Sequence, residues 1–238
     1  MKTKGFFSFL LILTFAVSSC KKEFSNGPVV VKDLSYGDCK TKGSTTTIFD
    51  PEYITLKTIE GNYIFCEHIN SIFNCDPGEI TVSIKMSGDT IIIDENETKA
   101  GADCICPYDL TFKTGSLQYG VYPINFKKGG ITFKESTLDF NESTVIFISC
   151  ATTFSDKIWV YYNETQCSNP WPIDNSTSTE AKVQQYLNTN EIQVFDIKIV
   201  TYFSGPFCEA CHCSTGRKIF VLVSKSDLEN IQNLGFFK

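Results

Sequence analysis

The chain has 238 residues, 42% apolar and 20% charged, with 11 cysteines and 2 histidines. That length can bury one large or two small cores, and the apolar content excludes a wholly disordered polypeptide. Its 21 basic residues stand against 27 acidic ones and include one arginine, Arg217, which speaks against nucleic acid as a partner because that needs clustered basic charge on phosphates.

Residues 1–19 read as an export signal: Met1-Lys-Thr-Lys4 is basic, Phe6 to Val17 is apolar, and Ser18-Ser19 are small. The apolar run is too short for a transmembrane helix. Val17-Ser18-Ser19-Cys20 resembles the bacterial lipobox, in which the cysteine is acylated and becomes the first mature residue. The resemblance implies lipidation of Cys20 and a stable membrane anchor, since two or three acyl chains hold far better than one. Ordinary secretion, with Cys20 a normal thiol, is the alternative. Cysteine parity favours lipidation, because removing Cys20 leaves an even set of ten. Residues 20–28 then read as a tether.

The lysine-for-arginine bias, the tether and 20 phenylalanines are similar to those of Bacteroidetes envelope lipoproteins. Cys104-Ile-Cys106-Pro-Tyr-Asp-Leu110 resembles a C-x-C-x-Y-D-L stretch in uncharacterised members of that group. The resemblance implies a lipid-anchored envelope protein, at the outer membrane and with surface exposure an open option. It brings no activity with it.

Residues 29–150 show strands and turns. Tyr53 to Leu56 alternates, Tyr63 to Phe65 follows a Glu60-Gly61-Asn62 turn, and Ile80 to Ile84 runs through Ser87-Gly88-Asp89 into Ile91 to Ile93, a hairpin signal. Leu110 to Phe112, Tyr119 to Phe126, Ile131 to Phe133 and Val145 to Ile148 complete about eight short strands, a number that suits a sandwich or barrel. Leu117-Gln-Tyr-Gly120-Val-Tyr122-Pro-Ile124 resembles the segment of immunoglobulin-like sandwiches in which a tyrosine braces a strand corner. The expected fold there is an Ig-like antiparallel β-sandwich, with a lipocalin-like barrel as the alternative. Pro123 has to sit on an edge or a bulge.

Residues 155–238 change period. Lys157 to Tyr162 reads as a strand, and Thr177-Ser-Thr-Glu180 as a capping box opening a helix with Val183, Tyr186 and Leu187 inward. Glu191 to Phe203 and Lys218 to Val223 read as strands. Ser226-Asp-Leu-Glu229 is a second capping box, and Gly235 with Phe236 suits a helix C-terminus. The order is βαββα, a small cysteine-rich domain following the sandwich, so the fold class is mainly β plus α+β.

The disulfide candidates are Cys39, Cys66, Cys75, Cys104, Cys106 and Cys150 in the first domain and Cys167, Cys208, Cys211 and Cys213 in the second. Both sets are even, so five bridges are expected, with connectivity open. Cys104 and Cys106 are at strand spacing and should reach different partners. Cys208-Glu-Ala-Cys211-His212-Cys213 admits three functional readings. Cys-x-x-Cys-His is a c-type haem pattern, but it falls near the chain's end rather than at the start of a helical domain. With Cys167 the three thiols could hold a metal, although an oxidising envelope favours disulfides. A redox pair would sit at a helix N-terminus, and this one feeds a turn and a strand. Cys211-x₅-Arg217 has phosphatase-loop spacing without the helix that such a loop enters.

With His68 and His212 alone, neither a Ser-His-Asp set nor a histidine-rich metal site is credible. Asp94, Glu95 and Glu97 read as a solvated hairpin tip able to take a cation. Trp171, in Asn169-Pro-Trp171-Pro172, could stack on a ligand or cover the core. The expected function is non-enzymatic binding of an unknown protein or glycan ligand at the envelope, with no cofactor and no metal. The rival is a redox, haem or metal protein built on Cys208–Cys213.

Overall fold

The computed structural model describes residues 27–40, 50–150, 156–172, 177–203, 208 and 210–238. The fold is mainly β, with three sheets and two short helices near the C-terminus. In chain order the first ten strands are β1 (Gly27–Val29), β2 (Val31–Tyr36), β3 (Glu52–Ile59), β4 (Tyr63–Asn74), β5 (Ile80–Ser87), β6 (Thr90–Glu97), β7 (Ile105–Thr114), β8 (Gly120–Lys128), β9 (Ile131–Phe140) and β10 (Val145–Cys150). They form two five-stranded sheets, β1-β5-β6-β8-β9 and β10-β3-β4-β7-β2. Residues 27 and 28, expected in the tether, belong to β1 and pair with β5.

Alternation builds the core between these sheets. Ile84, Ile91, Ile93, Tyr122, Ile124, Phe126, Leu138 and Phe140 from one meet Ile54, Leu56, Ile64, Cys66, Phe112 and Ile148 from the other. The β5–β6 hairpin closes through Gly88 at φ 62°, in the left-handed region that glycine enters without strain. One correction concerns strand direction: the first sheet is mixed, because β6 and β8 run parallel. Between them the chain crosses to the other sheet as β7 and returns, and two crossings restore the original direction. No pattern within a single strand reports this.

Tyr122 is buried, and its hydroxyl donates to the Gln118 carbonyl at 2.7 Å, bracing the start of β8. Pro123 lies in an interior strand, neither at an edge nor at the β8 irregularity, which falls between Phe126 and Lys127. It is tolerated because the ladder to β6 begins one residue later, at Ile124.

The third sheet, β11-β13-β12, is antiparallel and uses β11 (Lys157–Thr165), β12 (Val194–Thr201) and β13 (Ser214–Ser224). Helix α1 (Thr179–Thr189) connects β11 to β12, and a 3₁₀ turn at Lys225–Asp227 leads from β13 into α2 (Leu228–Asn233). One sheet face, with Ile158, Val160, Ile219, Val221 and Val223, packs on Val183 and Leu187 of α1 and Ile231 of α2. The opposite face carries Trp159, Phe220 and Leu222, which pack against Tyr53 and Phe147 from β3 and β10.

Both capping boxes shift. Ser178, not Thr177, caps α1 by accepting from Ala181 N at 3.2 Å, and Ser224 caps the 3₁₀ turn ahead of α2. In each case the expected box missed where the chain leaves extended backbone, and that is where the capping oxygen is needed. Helix α2 ends as expected: Gly235 at φ 89° sends its N–H to Gln232 O, Phe236 sends its own to Ile231 O, and the Phe236 ring closes over the core.

Replacing Tyr122 with Phe removes the corner hydrogen bond and leaves the Gln118 carbonyl without it. The expected loss is about 1–2 kcal/mol of unfolding free energy, measured by urea titration. An unchanged midpoint would show that the corner carries no stability.

Candidate functional site

The structure forms four disulfides: Cys39–Cys106, Cys75–Cys104, Cys167–Cys211 and Cys208–Cys213. Cys104 and Cys106 reach different partners. The fifth expected bridge is absent, since Cys66 and Cys150 are buried thiols. Register explains why. Cys66 lies opposite Leu56 and Cys150 opposite Glu52, on the two strands flanking β3. They are therefore two strand spacings apart, about 9–10 Å, and further offset along β3, beyond the roughly 7 Å that a bridge can span. Cys20 lies outside the described residues.

The Cys208–Cys213 segment brings Cys208, His212 and Cys213 donor atoms within 4.8 Å of one another. Two of those sulfurs are joined to each other and Cys211 is tied to Cys167, so in this oxidised state His212 is the one unbridged donor of the group. The Cys211 thiol that the phosphatase spacing requires is likewise consumed. Arg217, its supposed partner, lies inside strand β13.

Trp171 is placed in the core rather than on a ligand platform. It is 4% exposed and meets Tyr162 at 4.9 Å and Tyr186 at 6.1 Å in edge contacts. The proline-flanked loop folds the indole into the second core, in one cluster with Val183 and Leu187 of α1. The indole also lines a cleft of about 220 Å³ with Glu164, Asn169, Lys182, Thr215 and Arg217. Glu164 is 6% exposed, with Arg217 Nε 3.2 Å from its Oε2 and the Thr215 hydroxyl donating to that same oxygen at 2.7 Å. Arg217 also reaches Thr179 Oγ1 at 3.5 Å. Arg217 arrives in this cleft because β13 pairs with both neighbours, and the turn before it is pinned by both disulfides.

A second polar cluster lies inside the sandwich. The apolar phase of β4 places Ile64, Cys66 and His68 inward, and a bulge with Asn70 at φ 59° then reverses the phase and turns Ser71 inward. His68 Nδ1 lies 2.7 Å from Glu95 Oε1 and its Nε2 lies 3.0 Å from Glu52 Oε1. Ser71 donates to Glu95 Oε2 at 3.0 Å, and Lys128 donates to Ser71 Oγ at 2.9 Å and to Ile72 O at 3.0 Å. Phe133 stacks on the imidazole with ring centres 5.7 Å apart. His68 is fully buried and Glu95 1% exposed. The reading of Asp94, Glu95 and Glu97 as a solvated tip is thereby corrected: all three lie in β6, and Glu95 shares the inward face of Ile91 and Ile93.

Burial by itself would depress the His68 pKa, but the Glu95 charge, with hydrogen bonds to Cys150, Glu52 and Glu95, outweighs it and holds His68 protonated well above its ordinary range. Burial works to raise Glu95, and the His68 charge, helped by Lys128 and Ser71, carries it below its ordinary range instead. Burial pushes the Cys150 thiol up, partly offset by His68. Carboxylate, imidazole and thiol thus resemble a nucleophile–base set in connectivity alone. A histidine held protonated cannot accept a proton, and a buried thiol above its ordinary range is a poor nucleophile. This cluster binds the sheets together.

Among the described residues no helix is long and apolar enough to cross a membrane. The four disulfides suit an oxidising, extracytoplasmic compartment. Compared with family models, curated proteins and solved structures, the chain matches none.

The His68–Glu95 pair gives stability a defined pH window. A raised His68 contributes fully below 6.5, its ordinary value, and the contribution is lost as pH climbs through the folded value. A lowered Glu95 contributes fully above 4.5 and loses that contribution as pH falls through its folded value. His68→Gln should therefore cost most between pH 4.5 and 6.5, about 3–5 kcal/mol for breaking a buried pair, with the difference from wild type shrinking above neutrality. Urea titrations at pH 5.5 and 9 measure it, and a difference independent of pH would contradict a charged pair.

Proposed function

We propose that this chain is a lipid-anchored bacterial envelope protein, held at the outer membrane through acylated Cys20, that works as a non-enzymatic binding module. Residues 1–19 serve as the lipoprotein signal, 29–150 as an Ig-like sandwich domain and 155–238 as a βαββα domain. The Tyr122 corner supports the Ig-like reading, with the mixed sheet as a departure from it. The observation that carries the binding role is the cleft around Arg217, where Glu164 and two disulfides fix the chain's one guanidinium beside Lys182 and an indole edge. A fixed guanidinium with hydroxyl and amide neighbours is suited to an acidic, hydroxyl-rich ligand such as a uronic-acid-containing glycan. Support for binding over catalysis comes from His68, which is committed to two carboxylates in a water-excluded core. A single arginine and a net charge of −6 favour ligands other than nucleic acid.

Anchoring and binding are tested separately. In expressing bacteria the wild-type chain should partition into the detergent phase and Cys20→Ser into the aqueous phase. A Cys20→Ser chain that stays with detergent would overturn the lipid anchor. On an array of acidic and neutral oligosaccharides, wild type should be retained on uronic-acid members and Arg217→Met should lose about tenfold in affinity or more, the equivalent of one charged hydrogen bond. Equal retention of both chains would remove the cleft from the binding site.

A further inference from the structure

Lys218 stands on the face of β13 that meets the sandwich, two residues before Phe220. Its Nζ lies 5.0 Å from the ring centre of Tyr202, 5.1 Å from that of Tyr161 and 5.2 Å from that of Phe147. The side chain is half-buried, and Asn163, directly across in β11, accepts its hydrogen bond through Oδ1. Among the described residues no carboxylate pairs with this amine. Lys198, on the neighbouring strand β12, lies instead 3.4 Å from Asp50 and 3.6 Å from Asp196.

This environment is unusual for a lysine. Three rings at this distance give an ammonium some electrostatic return, but less than the water they displace. Burial accordingly brings Lys218 down to about 8. Three titratable neighbours are shifted upward, away from that range. Burial raises Tyr161, helped by Tyr202, and pushes Tyr53, behind Phe147, up to about 12, while Asp50 and Asp196 hold Lys198 above its ordinary value despite burial. Phe147 and Asn163 do not titrate.

We propose that Lys218 is a covalent ligand site for small apolar or aromatic aldehydes, bound as an imine on its ε-nitrogen within the Phe147–Tyr161–Tyr202 niche. In the step, the neutral amine's lone pair forms an N–C bond to the carbonyl carbon and the C=O π pair moves to oxygen. A proton passes from nitrogen to that oxygen to give the carbinolamine, and loss of water then forms the C=N bond. Amine plus aldehyde gives imine plus water, with nothing oxidised or reduced. The ring walls supply an apolar seat for the aldehyde's body, and Asn163 Oδ1 orients the attacking N–H group.

The test is reductive trapping of the purified full chain with benzaldehyde and cyanoborohydride, followed by peptide mass mapping across pH. Basic residues total 21 with one arginine, so Lys218 competes with 19 other lysines in the same tube. At pH 7.5 its larger neutral fraction, discounted for burial and lower basicity, should make it react about tenfold faster than the median lysine. With the hydride in excess, so that imine formation sets the rate, its rate should level off above pH 8 while theirs keep rising. A Lys218 rate at or below the median at pH 7.5, or one climbing in parallel with the others, overturns the proposal. Tyr202→Leu opens one wall of the niche and should reduce the lead of Lys218 several-fold. An undiminished lead in a folded variant also overturns it. The wild-type profile decides the matter should that variant fail to fold.

Discussion

Everything C-terminal to the sandwich depends on one requirement: strand β13 is apolar on both faces, and both must be covered. Ile219, Val221 and Val223 point one way and Phe220 and Leu222 the other, all at 1% exposure or less. Two short helices can roof only one side of a three-stranded sheet. The other side is closed by Tyr53 and Phe147, whose rings lie 6.1 Å and 5.8 Å from Phe220. The Phe147 ring thus belongs to the first body by sequence and to the second by packing. This shared aromatic layer limits how far the two cores can act independently, and it creates the niche that strips water from Lys218.

The sandwich solves a different problem. Burying a histidine among hydrocarbon side chains is costly unless both ring nitrogens and their partners are satisfied. Glu95 and Glu52 satisfy the nitrogens, Ser71 satisfies the remaining Glu95 oxygen, and Lys128, bonded to Ser71 and 3.7 Å from Glu52, helps balance the charge. The Ser71 contacts depend on the Asn70 bulge, since a regular β4 would turn Ser71 to the outside. The bulge is itself held from outside, where Asp109 accepts from Asn70 N and Lys40 reaches Asn70 Oδ1 at 2.6 Å. A surface contact thereby sets the geometry of an interior one.

Local patterns in the sequence were sufficient for the hairpin at Gly88, the βαββα order and the helix stop at Gly235, because each depends on residues within a few positions of one another. Glu95 was within reach too: it is in phase with Ile91 and Ile93, as His68 is with Ile64 and Cys66. The acidic run around Glu95 outweighed its phase, and a lone histidine offered no second ligand to suggest a network. Parity was a poor guide to Cys66 and Cys150, since bonding depends on which strands lie between two sulfurs. The parallel β6–β8 pair was out of reach for the same kind of reason, being a property of how the chain crosses between sheets. Trp171 could be argued from sequence for a ligand surface or for the core, and it lies in the core.

The disulfide connectivity has a consequence for biogenesis. As an exported chain emerges from its N-terminus, cysteines paired in order of appearance would join 39 to 66, 75 to 104, 106 to 150, 167 to 208 and 211 to 213. Of these pairs the folded protein keeps one, Cys75–Cys104. Cys39 has to wait for Cys106 while Cys66, Cys75 and Cys104 pass by, and the two C-terminal bridges interleave. Bonds formed in that order would have to be undone by thiol–disulfide exchange to reach the native pairing. Cys66 and Cys150 are buried, so once the sandwich is closed neither thiol is accessible to such exchange.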